Sequence, residues 1–461
     1  MGSPDLIEGQ TAPGGRETLL QRGWCLFCGL LVRIFCGRCE AQGFRHLPTR
    51  GPVLLCANHP NSALDAITIQ AVCPRLIHPL AKSGLFENPL ARPWLRLMQA
   101  VPMYRRQDPG VDTARNIDSF AACYELFVSG GVLLIFPEGT THSDPRLREL
   151  RTGAARIALG SIESTGTAPM IFPVGVNFSE KGTWRSDVFV KMGEAIDLKP
   201  LPGEDQQKTV RRLTGLIEQG LNAVTLSADT LEELQLSRRL ERFFAMRRGR
   251  YDERTLAHHF RVQRKLIGWQ RTLREREPKR VAELSRRLDR FERLCRRLGI
   301  HDYQLTLSYR FSVIARFVLH ALIVLLVFIP LGVWGWINSA IPYNLTRVLV
   351  ARLATGLHDR DFWRMAVAVG AYTVAWGAQT AIVAWLFGAV PAVIYLLSLP
   401  IIFAVAMMLE RQRNWIIENM QAFFLFMRKR KLRAHLLKRR RALETELARM
   451  IRLLRRPLPS P

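Results

Sequence analysis

The stretch LLCANHPNSALDAI, residues 54–67, places a histidine directly after an apolar run and an aspartate a short distance beyond it. A histidine with a nearby carboxylate can act as a general base, because the carboxylate fixes the imidazole tautomer and stabilises imidazolium. Five residues separate His59 from Asp65, so the two would not face each other on one continuous helix. A catalytic pair therefore requires a loop at His59 and Pro60 that runs into a helix beginning near Ser62.

A second interpretation of the same residues involves no chemistry. SALD matches a helix capping box, with Ser62 at the N-cap and Asp65 three positions into the helix. On this interpretation Asp65 serves only the backbone donors of its own helix. The two roles can coexist if Asp65 lies in the first turn, so this stretch alone leaves both open.

Three further stretches, AVPMYRRQD, LLIFPEGTTHS and FPVGVNF, combine apolar runs with polar residues or a proline. The residues concerned are Arg105, Arg106, Glu138, Gly139, Thr140 and, inside the third run, Pro173. An arginine beside a glycine-bearing turn can hold and orient a phosphate-bearing substrate. Glu138 can bind a hydroxyl or pair with an arginine, but its negative charge cannot attract a phosphate.

The elements that must position these residues are short buried strands alternating with helices. From about residue 50 to residue 200, apolar runs such as PVLLCAN and GVLLIFPEG alternate with helix-like stretches such as LRTGAARIALGSIEST. Each apolar run ends at a Gly, Pro or Asn. This alternation predicts an α/β domain whose central, mostly parallel sheet is flanked by helices.

Taken together and in this order, the four stretches resemble the motifs of the glycerolipid acyltransferase family. NHPNSALD is similar to the family's NH-four-D block, VPMYRR to its second block, FPEGTTHS to its FPEGTRS block and FPVGVNF to its fourth block. The resemblance covers about residues 45–200 and implies an α/β acyltransferase domain with His59 and Asp65 as catalytic residues. The substrate-binding residues that it implies are Asn58, Arg105, Arg106, Glu138, Gly139, Thr140 and Pro173, with no metal.

The chain departs from the family motifs at three points. Five residues instead of four lie between the histidine and the aspartate, Thr141 replaces the arginine of the third block, and Ala100 replaces the leading glycine of the second. The longer spacing resembles the branch of fungal-type glycerol-3-phosphate or dihydroxyacetone-phosphate acyltransferases and related bacterial proteins, which also carry apolar spans after the catalytic domain. This favours glycerol-3-phosphate as the acceptor, with lysophosphatidate or another lysophospholipid as the alternative.

The implied reaction moves a fatty acyl group from acyl-CoA or acyl carrier protein to a hydroxyl, without a cofactor. No cysteine or serine lies in a nucleophile motif, so we expect direct transfer without a covalent intermediate. A backbone N–H near EGTT or in the NHPN loop is expected to stabilise the oxyanion. A non-catalytic membrane lipid-binding protein is a weaker interpretation, and a nucleic-acid binder would not explain the apolar segments.

The charge distribution predicts a phospholipid membrane as partner. The formal net charge is +27, and residues 231–300 and 410–461 each contribute +11 of it. These two basic segments flank the most apolar part of the chain. The arrangement favours lipid headgroups over nucleic acid as the anionic partner.

Two uncharged segments are long enough to cross a bilayer. Residues 365–409 suit two spans with a turn at Gly388–Pro391, and residues 317–341 suit one. The positive-inside rule places both basic flanks on one side, so residues 317–341 are expected to be re-entrant or split at Pro330 and Pro342, and the count stays open at two to four spans. We predict an integral membrane protein, in the inner membrane if bacterial, with its catalytic domain on the cytoplasmic side.

Four cysteines lie in WCLFCGLLVRIFCGRC, namely Cys25, Cys28, Cys36 and Cys39. Paired CxxC motifs allow a zinc site. The apolar linker between the pairs, and a common position on one helix face, favour instead an amphipathic or membrane-contacting helix.

The sequence therefore predicts five parts. They are an N-terminal tail with an apolar helix (1–44), the acyltransferase domain (45–204), a basic helical region (205–312), membrane segments (313–410) and a basic amphipathic C-terminal helix (411–461). In the last part, one helical stripe is typical of a helix on an anionic membrane surface or of a coiled-coil partner. The stripe consists of Leu436, Leu443, Leu447, Met450 and Leu454.

Overall fold

The computed structural model describes residues 18–87, 91–105, 113–197, 205–246, 255–306, 329–354 and 356–454, together with residues 319, 322 and 326. The predicted N-terminal tail up to residue 17 and the predicted site residue Arg106 lie outside the described residues. The chain divides into two compact units. The first comprises Met1–Leu231, Thr255–Phe260 and Ala354–Met365, and the second comprises Glu232–Arg254, Arg261–Leu353 and Ala366–Pro461.

A seven-stranded sheet forms the centre of the first unit. Its strands are β1 (Cys39–Gln42), β2 (Val53–Ala57), β3 (Ile77–Lys82), β4 (Val101–Met103), β5 (Val132–Ile135), β6 (Met170–Phe178) and β7 (Val188–Met192). They lie in the order β1-β7-β6-β2-β5-β3-β4, and all neighbours are parallel except β6 with β7. The predicted mostly parallel α/β sheet is therefore confirmed.

Burial on both faces explains the apolar runs in the sequence. All the residues of β2 and β5 are buried, as expected for central parallel strands that helices cover on both sides. β2 pairs with β5 at Cys56 opposite Ile135, and with β6 at Ala57 opposite Val174. Because these three strands are parallel, their carboxyl ends lie at one edge of the sheet.

Six helices of the first unit accompany this sheet. They are α1 (Leu19–Phe35), α2 (Ala63–Val72), α3 (Arg92–Leu97), α4 (Asn116–Val128), α5 (Gly153–Thr165) and α6 (Gln206–Val224). Short 3₁₀ turns occupy Phe44–His46, Ser83–Phe86 and Thr113–Arg115. The main core includes Phe127 of α4, Ile157 of α5 and Leu221 of α6. The unit extends past both predicted limits of the domain, because β1 precedes residue 45 and α6 follows residue 204.

The N-terminal cysteines are divided between two elements. α1 ends at Phe35, Cys36 is its C-cap and Cys39 begins β1, so the prediction that all four lie on one helix face is wrong. Cys28 is buried beside Trp24 and Leu76. Burial raises the pKa of the Cys28 and Cys36 thiols to about 12. In the described part of the chain, no cluster of His, Cys, Asp or Glu could hold a metal ion, so the cysteines form no zinc site there.

The other elements in the described part of the chain are helices. They are α7 (Leu231–Met246), α8 (Leu256–Arg276), α9 (Pro278–Arg297), α10 (Asp302–Thr306) and four C-terminal helices, Ile329–Leu353, Leu357–Phe387, Ala389–Arg428 and Arg430–Leu454. Leu436, Leu443 and Leu447 of the predicted stripe are buried in the core of the second unit, together with Leu284 and Leu288 of α9. The side chains of Met450 and Leu454 lie outside the described part of the chain. The prediction that this stripe lies on a membrane surface is therefore wrong, because other helices of its own unit cover its three buried leucines.

Two stretches of the described chain, Arg360–Phe387 and Ala389–Met407, are helical and are long and apolar enough to cross a membrane. They meet at Gly388, which has φ +88°, in agreement with the predicted turn. From residue 329 onward, the segment 317–341 belongs to helix Ile329–Leu353, which runs through Pro342 without ending. The predicted break at Pro342 is therefore wrong, and most of residues 317–328 lie outside the described residues.

Candidate active site

The carboxyl edge of the sheet gathers the principal predicted residues. His59 lies two residues after β2, Glu138 lies three residues after β5, and Arg105 lies two residues after β4. β2 and β5 are parallel neighbours, so the loops that follow them meet. In open α/β sheets, ligands bind in the crevice outside the carboxyl ends of the strands.

His59 and Asp65 form a hydrogen-bonded pair. Nδ1 of His59 lies 3.0 Å from Oδ2 of Asp65. His59 occupies the loop after β2, and Asp65 is the third residue of α2. Between them Ser62 has φ +52°, an uncommon backbone conformation for a residue other than glycine, at the turn into α2. This is the loop-to-helix junction that the sequence spacing predicts.

The capping box predicted for this helix does not form. Ser62 is the N-cap of α2, but its side chain makes no capping hydrogen bond. Oδ2 of Asp65 accepts instead from the backbone N–H of Asn61, at 2.8 Å. The capping interpretation is therefore wrong, because Asp65 accepts a hydrogen bond from Asn61 in the loop that carries His59 and not from the N-cap residue Ser62.

The imidazole of His59 is supported on one face and is open at one edge. It stacks on Phe136 with ring centroids 4.0 Å apart and planes inclined by 18°. Its side chain is 18% exposed, whereas that of Asp65 is fully buried. In the tautomer whose Nδ1–H donates to Asp65, Nε2 keeps its lone pair, and no described residue forms a hydrogen bond to it. Nε2 is thus the atom available to take a proton.

The environment of Asp65 suits it to balance a positive charge. Burial raises the pKa of Asp65, while the hydrogen bonds from His59 and Asn61 oppose part of that rise. A buried carboxylate depends on such donors to replace the water that it loses. Its attraction to a neighbouring imidazolium is stronger here than it would be in water. The ionised form of Asp65 is therefore placed to stabilise the charge that His59 gains with a proton.

Glu138 is buried and holds the His59 loop. Its Oε1 accepts from the backbone N–H of His59 at 2.9 Å, and its Oε2 accepts from the backbone N–H of Arg148 at 3.0 Å. Nε2 of His142 donates to the same Oε2. Burial by itself would raise the pKa of Glu138, but the hydrogen bonds from His142 and the two backbone groups hold it below its ordinary value. Glu138 thus fixes the backbone of His59, and its predicted contact with substrate stays a prediction.

His142 was not predicted as a site residue. It lies four residues after Glu138 and its side chain is only 7% exposed. Its Nδ1 accepts from the backbone N–H of Asp144 at 3.2 Å, and its own backbone N–H donates to the carbonyl of His59 at 3.4 Å. The sequence gives no signal beyond the spacing of four, because the contact depends on a turn that spacing does not specify.

Two arginines lie at Gly139. Nη1 of Arg105 donates to the carbonyl of Gly139 at 2.9 Å. Gly139 has φ +71°, and a Cβ built on it would lie 3.4 Å from Cγ of Arg151, so the Arg151 side chain lies against this turn. Sequence reasoning missed Arg151, whose place is set by its backbone N–H donating to the carbonyl of Pro137 at 2.7 Å. The structure thus brings a second guanidinium to the turn where a phosphate-binding role was predicted for Arg105.

Two other predicted residues, Asn58 and Pro173, make structural contacts. The side chain of Asn58 makes two hydrogen bonds with the backbone of Val176, donating at 3.1 Å and accepting at 2.7 Å. The buried ring of Pro173 packs closely against Gly193 and Gly220. A Cβ atom built on either glycine would lie 2.8 Å from Cγ of Pro173. The substrate contacts expected of Asn58 and Pro173 stay predictions.

The hydrogen bonds of the backbone N–H groups distinguish the two stretches that were expected to stabilise an oxyanion. Every N–H of the NHPN loop is engaged, by Val174, Glu138 and Asp65. Within the described chain, the N–H groups of Thr140 and Thr141 have no hydrogen-bond acceptor. Of the two stretches named from the sequence, the EGTT turn is therefore the one that retains unengaged donors.

Residues 38–177 match the family described as Acyltransferase. This range contains the site residues described above and the first three sequence motifs, and it ends one residue before the last residue of FPVGVNF. This segment is an acyltransferase domain. The match covers under a third of the chain and ends inside β6. The acyltransferase domain thus includes both catalytic candidates and the turn that carries Glu138.

Curated relatives match the acyltransferase domain of this chain. Glycerol-3-phosphate O-acyltransferase 2 of Saccharomyces cerevisiae is 31% identical over 133 residues, which is 27% of this chain and 18% of the relative. The chloroplastic 1-acyl-sn-glycerol-3-phosphate acyltransferase BAT2 of Brassica napus is 32% identical over 120 residues, which is 26% of this chain and 33% of the relative. The chain thus matches no more than a third of the length of either relative.

A solved structure also aligns with this chain. The crystal structure of the 1-acyl-sn-glycerophosphate acyltransferase PlsC of Thermotoga maritima covers 44% of this chain and 78% of its own, with 19% sequence identity and a TM-score of 0.34.

Proposed function

We propose that the chain is a membrane-bound O-acyltransferase that moves a fatty acyl group from an acyl thioester to a hydroxyl of glycerol-3-phosphate. The observation that carries this proposal is the 3.0 Å contact between Nδ1 of His59 and Oδ2 of Asp65. It leaves Nε2 of a partly exposed imidazole at the carboxyl edge of the sheet, in the position of a general base.

The proposed reaction proceeds in two stages. Nε2 of His59 takes the proton of the acceptor hydroxyl while the hydroxyl oxygen bonds to the thioester carbonyl carbon. The carbonyl electron pair moves to oxygen, and the N–H groups of Thr140 and Thr141 stabilise that oxyanion. When the carbonyl re-forms, the C–S bond breaks and the thiolate leaves with the proton from imidazolium. Asp65 offsets the charge on His59 between the two stages.

The acceptor phosphate is held by arginine. Arg105 and Arg151 both lie against Gly139, one residue from Glu138, which fixes the backbone of His59. A guanidinium matches the geometry of a phosphate in two-point hydrogen bonding. Arg151 provides this group at the turn where Thr141 replaces the arginine of the family motif.

Glycerol-3-phosphate is the first choice of acceptor. The five-residue spacing between His59 and Asp65 resembles the branch that uses it, and the yeast relative is named as a glycerol-3-phosphate O-acyltransferase. Lysophosphatidate or another lysophospholipid is the second candidate, supported by the name of the Brassica napus relative. Both acceptors carry a phosphate and a hydroxyl, so the arginines at Gly139 suit either one.

The acyl donor is acyl-CoA or acyl carrier protein, and no cofactor is required by this mechanism. Both donors are anionic and complement a chain with a net charge of +27.

The helical stretches Arg360–Phe387 and Ala389–Met407 support integration into a phospholipid membrane. Two spans would leave both basic flanks on the cytoplasmic side, with the catalytic domain, and no nucleic acid is proposed as partner.

Product identity tests the proposal. Purified full-length chain in phospholipid nanodiscs is supplied with palmitoyl-CoA and either glycerol-3-phosphate or lysophosphatidate, and the lipids are identified by mass spectrometry. We expect acyl-glycerol-3-phosphate from the first acceptor. Product from lysophosphatidate alone would select the second candidate. No product from either acceptor or from other lysophospholipids, with palmitoyl-CoA or with acyl carrier protein as donor, would favour a non-catalytic lipid-binding protein.

A further inference from the structure

An aspartate far along the chain contacts the loop that carries His59. Asp361 lies in the first two turns of helix Leu357–Phe387, in a segment that belongs to the first unit. Its Oδ2 accepts from Nδ2 of Asn61 at 3.1 Å and from the backbone N–H of Gly182 at 2.8 Å. Only 11% of the Asp361 side chain is exposed, so both hydrogen bonds are shielded from water.

Arg364 completes this arrangement. Its Nη1 lies 3.0 Å from Oδ1 of Asp361, and its Nη2 donates to the carbonyl of Gly182 at 3.3 Å. Asp361 and Arg364 therefore hold both polar groups of the Gly182 peptide backbone. The arginine also balances the negative charge that would otherwise make burial of Asp361 costly.

Asn61 connects this arrangement to the catalytic pair. Its side chain is bound to Asp361, and its backbone N–H donates to the Oδ2 atom of Asp65 that faces His59. Asn61 is fully buried, and it is two residues from His59. The Asn61 backbone and the His59 ring thus meet at the same oxygen atom, Oδ2 of Asp65.

We propose that Asp361 is a positioning residue for the catalytic loop, acting through Asn61 on the His59–Asp65 pair. This inference rests on the proposed function for its kinetic consequence. It assigns the start of helix Leu357–Phe387 a part in the active site. The stretch Arg360–Phe387, which begins one residue before Asp361, is long and apolar enough to cross a membrane.

Two measurements on full-length chain in nanodiscs test the proposal with the variants Asp361→Ala, Asp361→Asn and Asn61→Ala. The first is hydrogen–deuterium exchange of the peptide that contains residues 58–64. We expect the Asn61 amide to exchange about tenfold faster in Asp361→Ala, because loss of one charge-assisted hydrogen bond loosens its contact with Asp65. Asp361→Asn keeps an acceptor oxygen, so it should restore part of the protection.

The second measurement is steady-state acyl transfer. We expect Asp361→Ala to lower kcat about tenfold with the KM of the acceptor unchanged within about twofold, and Asp361→Asn to recover part of the loss. Asn61→Ala removes the same link, so the double variant should be no slower than the slower single variant. Asp118→Ala, an exposed aspartate in the first turn of α4, is the matched control and should behave as wild type.

The two measurements distinguish failure of the positioning role from failure of the proposed function. Unchanged exchange at residues 58–64 in Asp361→Ala would overturn the positioning role, whether or not the chain transfers acyl groups. Faster exchange confined to residues 357–365 would assign Asp361 a local role in its own helix and would also overturn it. If wild type transfers no acyl group, the proposed function fails, and the exchange result still decides whether Asp361 secures the loop.

Discussion

The backbone N–H of His59 donates to Oε1 of Glu138 at 2.9 Å, across the carboxyl ends of two adjacent strands. The first residue follows β2 and the second follows β5, and these strands are parallel neighbours. The Glu138 carboxylate, whose substrate-binding role is predicted from its motif, therefore fixes the backbone of the proposed general base, His59. The catalytic candidates and the Glu138 turn act as one hydrogen-bonded structure, and single substitutions should disturb more than one of them.

Glu138→Gln is expected to destabilise the first unit. The glutamine amide keeps one acceptor oxygen, and its NH₂ group faces donors that the second carboxylate oxygen binds in wild type. The hydrogen bonds to that second oxygen are therefore lost, either from the His59 backbone or from the His142 ring and the Arg148 backbone. Breaking a buried charged arrangement typically costs about 3 kcal/mol. Thermal unfolding in detergent should show a clear fall in midpoint, whereas Glu125→Gln, at an exposed site in α4, should leave it unchanged. Equal midpoints for the two variants would contradict the role given to Glu138.

The same substitution should change the response to acid. Hydrogen bonds hold the pKa of Glu138 below its ordinary value of 4.5, so its stabilising contribution is complete above pH 4.5 and is lost as pH falls through the lower, folded-state value. The difference in unfolding midpoint between wild type and Glu138→Gln should thus be constant above pH 5 and shrink below about pH 4.5. A difference that grows on acidification would show the opposite sign of linkage.

Asp65→Asn is expected to reduce acyl transfer by roughly 100- to 10,000-fold, the usual contribution of a general base held in its working state. The asparagine cannot stabilise the imidazolium that forms when His59 takes a proton. Asp118→Asn provides the same chemical change at an exposed site of the domain. Retained activity in Asp65→Asn, with the protein folded, would leave the pair without a catalytic role.

Arg105→Ala and Arg151→Ala are expected to weaken binding of the acceptor phosphate. Each loses a charge-assisted interaction, which predicts a rise of about 10- to 100-fold in the KM of glycerol-3-phosphate, with a smaller effect on the KM of the acyl donor. Arg92→Ala, an exposed arginine in α3, serves as the control. If the donor KM rises more than the acceptor KM, the two arginines bind the donor instead.

Much of the fold was predictable because buried parallel strands appear in the sequence as short apolar runs. The runs at β2, β5 and β6 predict the α/β class. The length of residues 365–409 and the absence of charge in them predict two helices that could each cross a membrane, and two such helices are present. The loop-to-helix junction between His59 and Asp65 was predictable from their spacing and from Pro60, because a catalytic pair at this spacing cannot lie on one continuous helix.

What the sequence did not predict depends on tertiary neighbours. Glu138 meets the His59 backbone only because β2 lies beside β5, and strand order is not encoded in a local pattern. Asp361 is 300 positions from Asn61, with no motif of its own. Helical periodicity predicts Cys39 on a helix face, but Cys39 begins β1 and pairs with β7. Periodicity alone does not indicate where a helix ends and a strand begins.

The most direct test of the central claim is the rate at which nanodisc-embedded chain forms acyl-glycerol-3-phosphate, measured for wild type and for His59→Ala. With His59 as the general base, we expect product from wild type and a loss of about 100- to 10,000-fold in the variant, which should stay folded and membrane-bound. Product formation by His59→Ala at the wild-type rate would contradict the account.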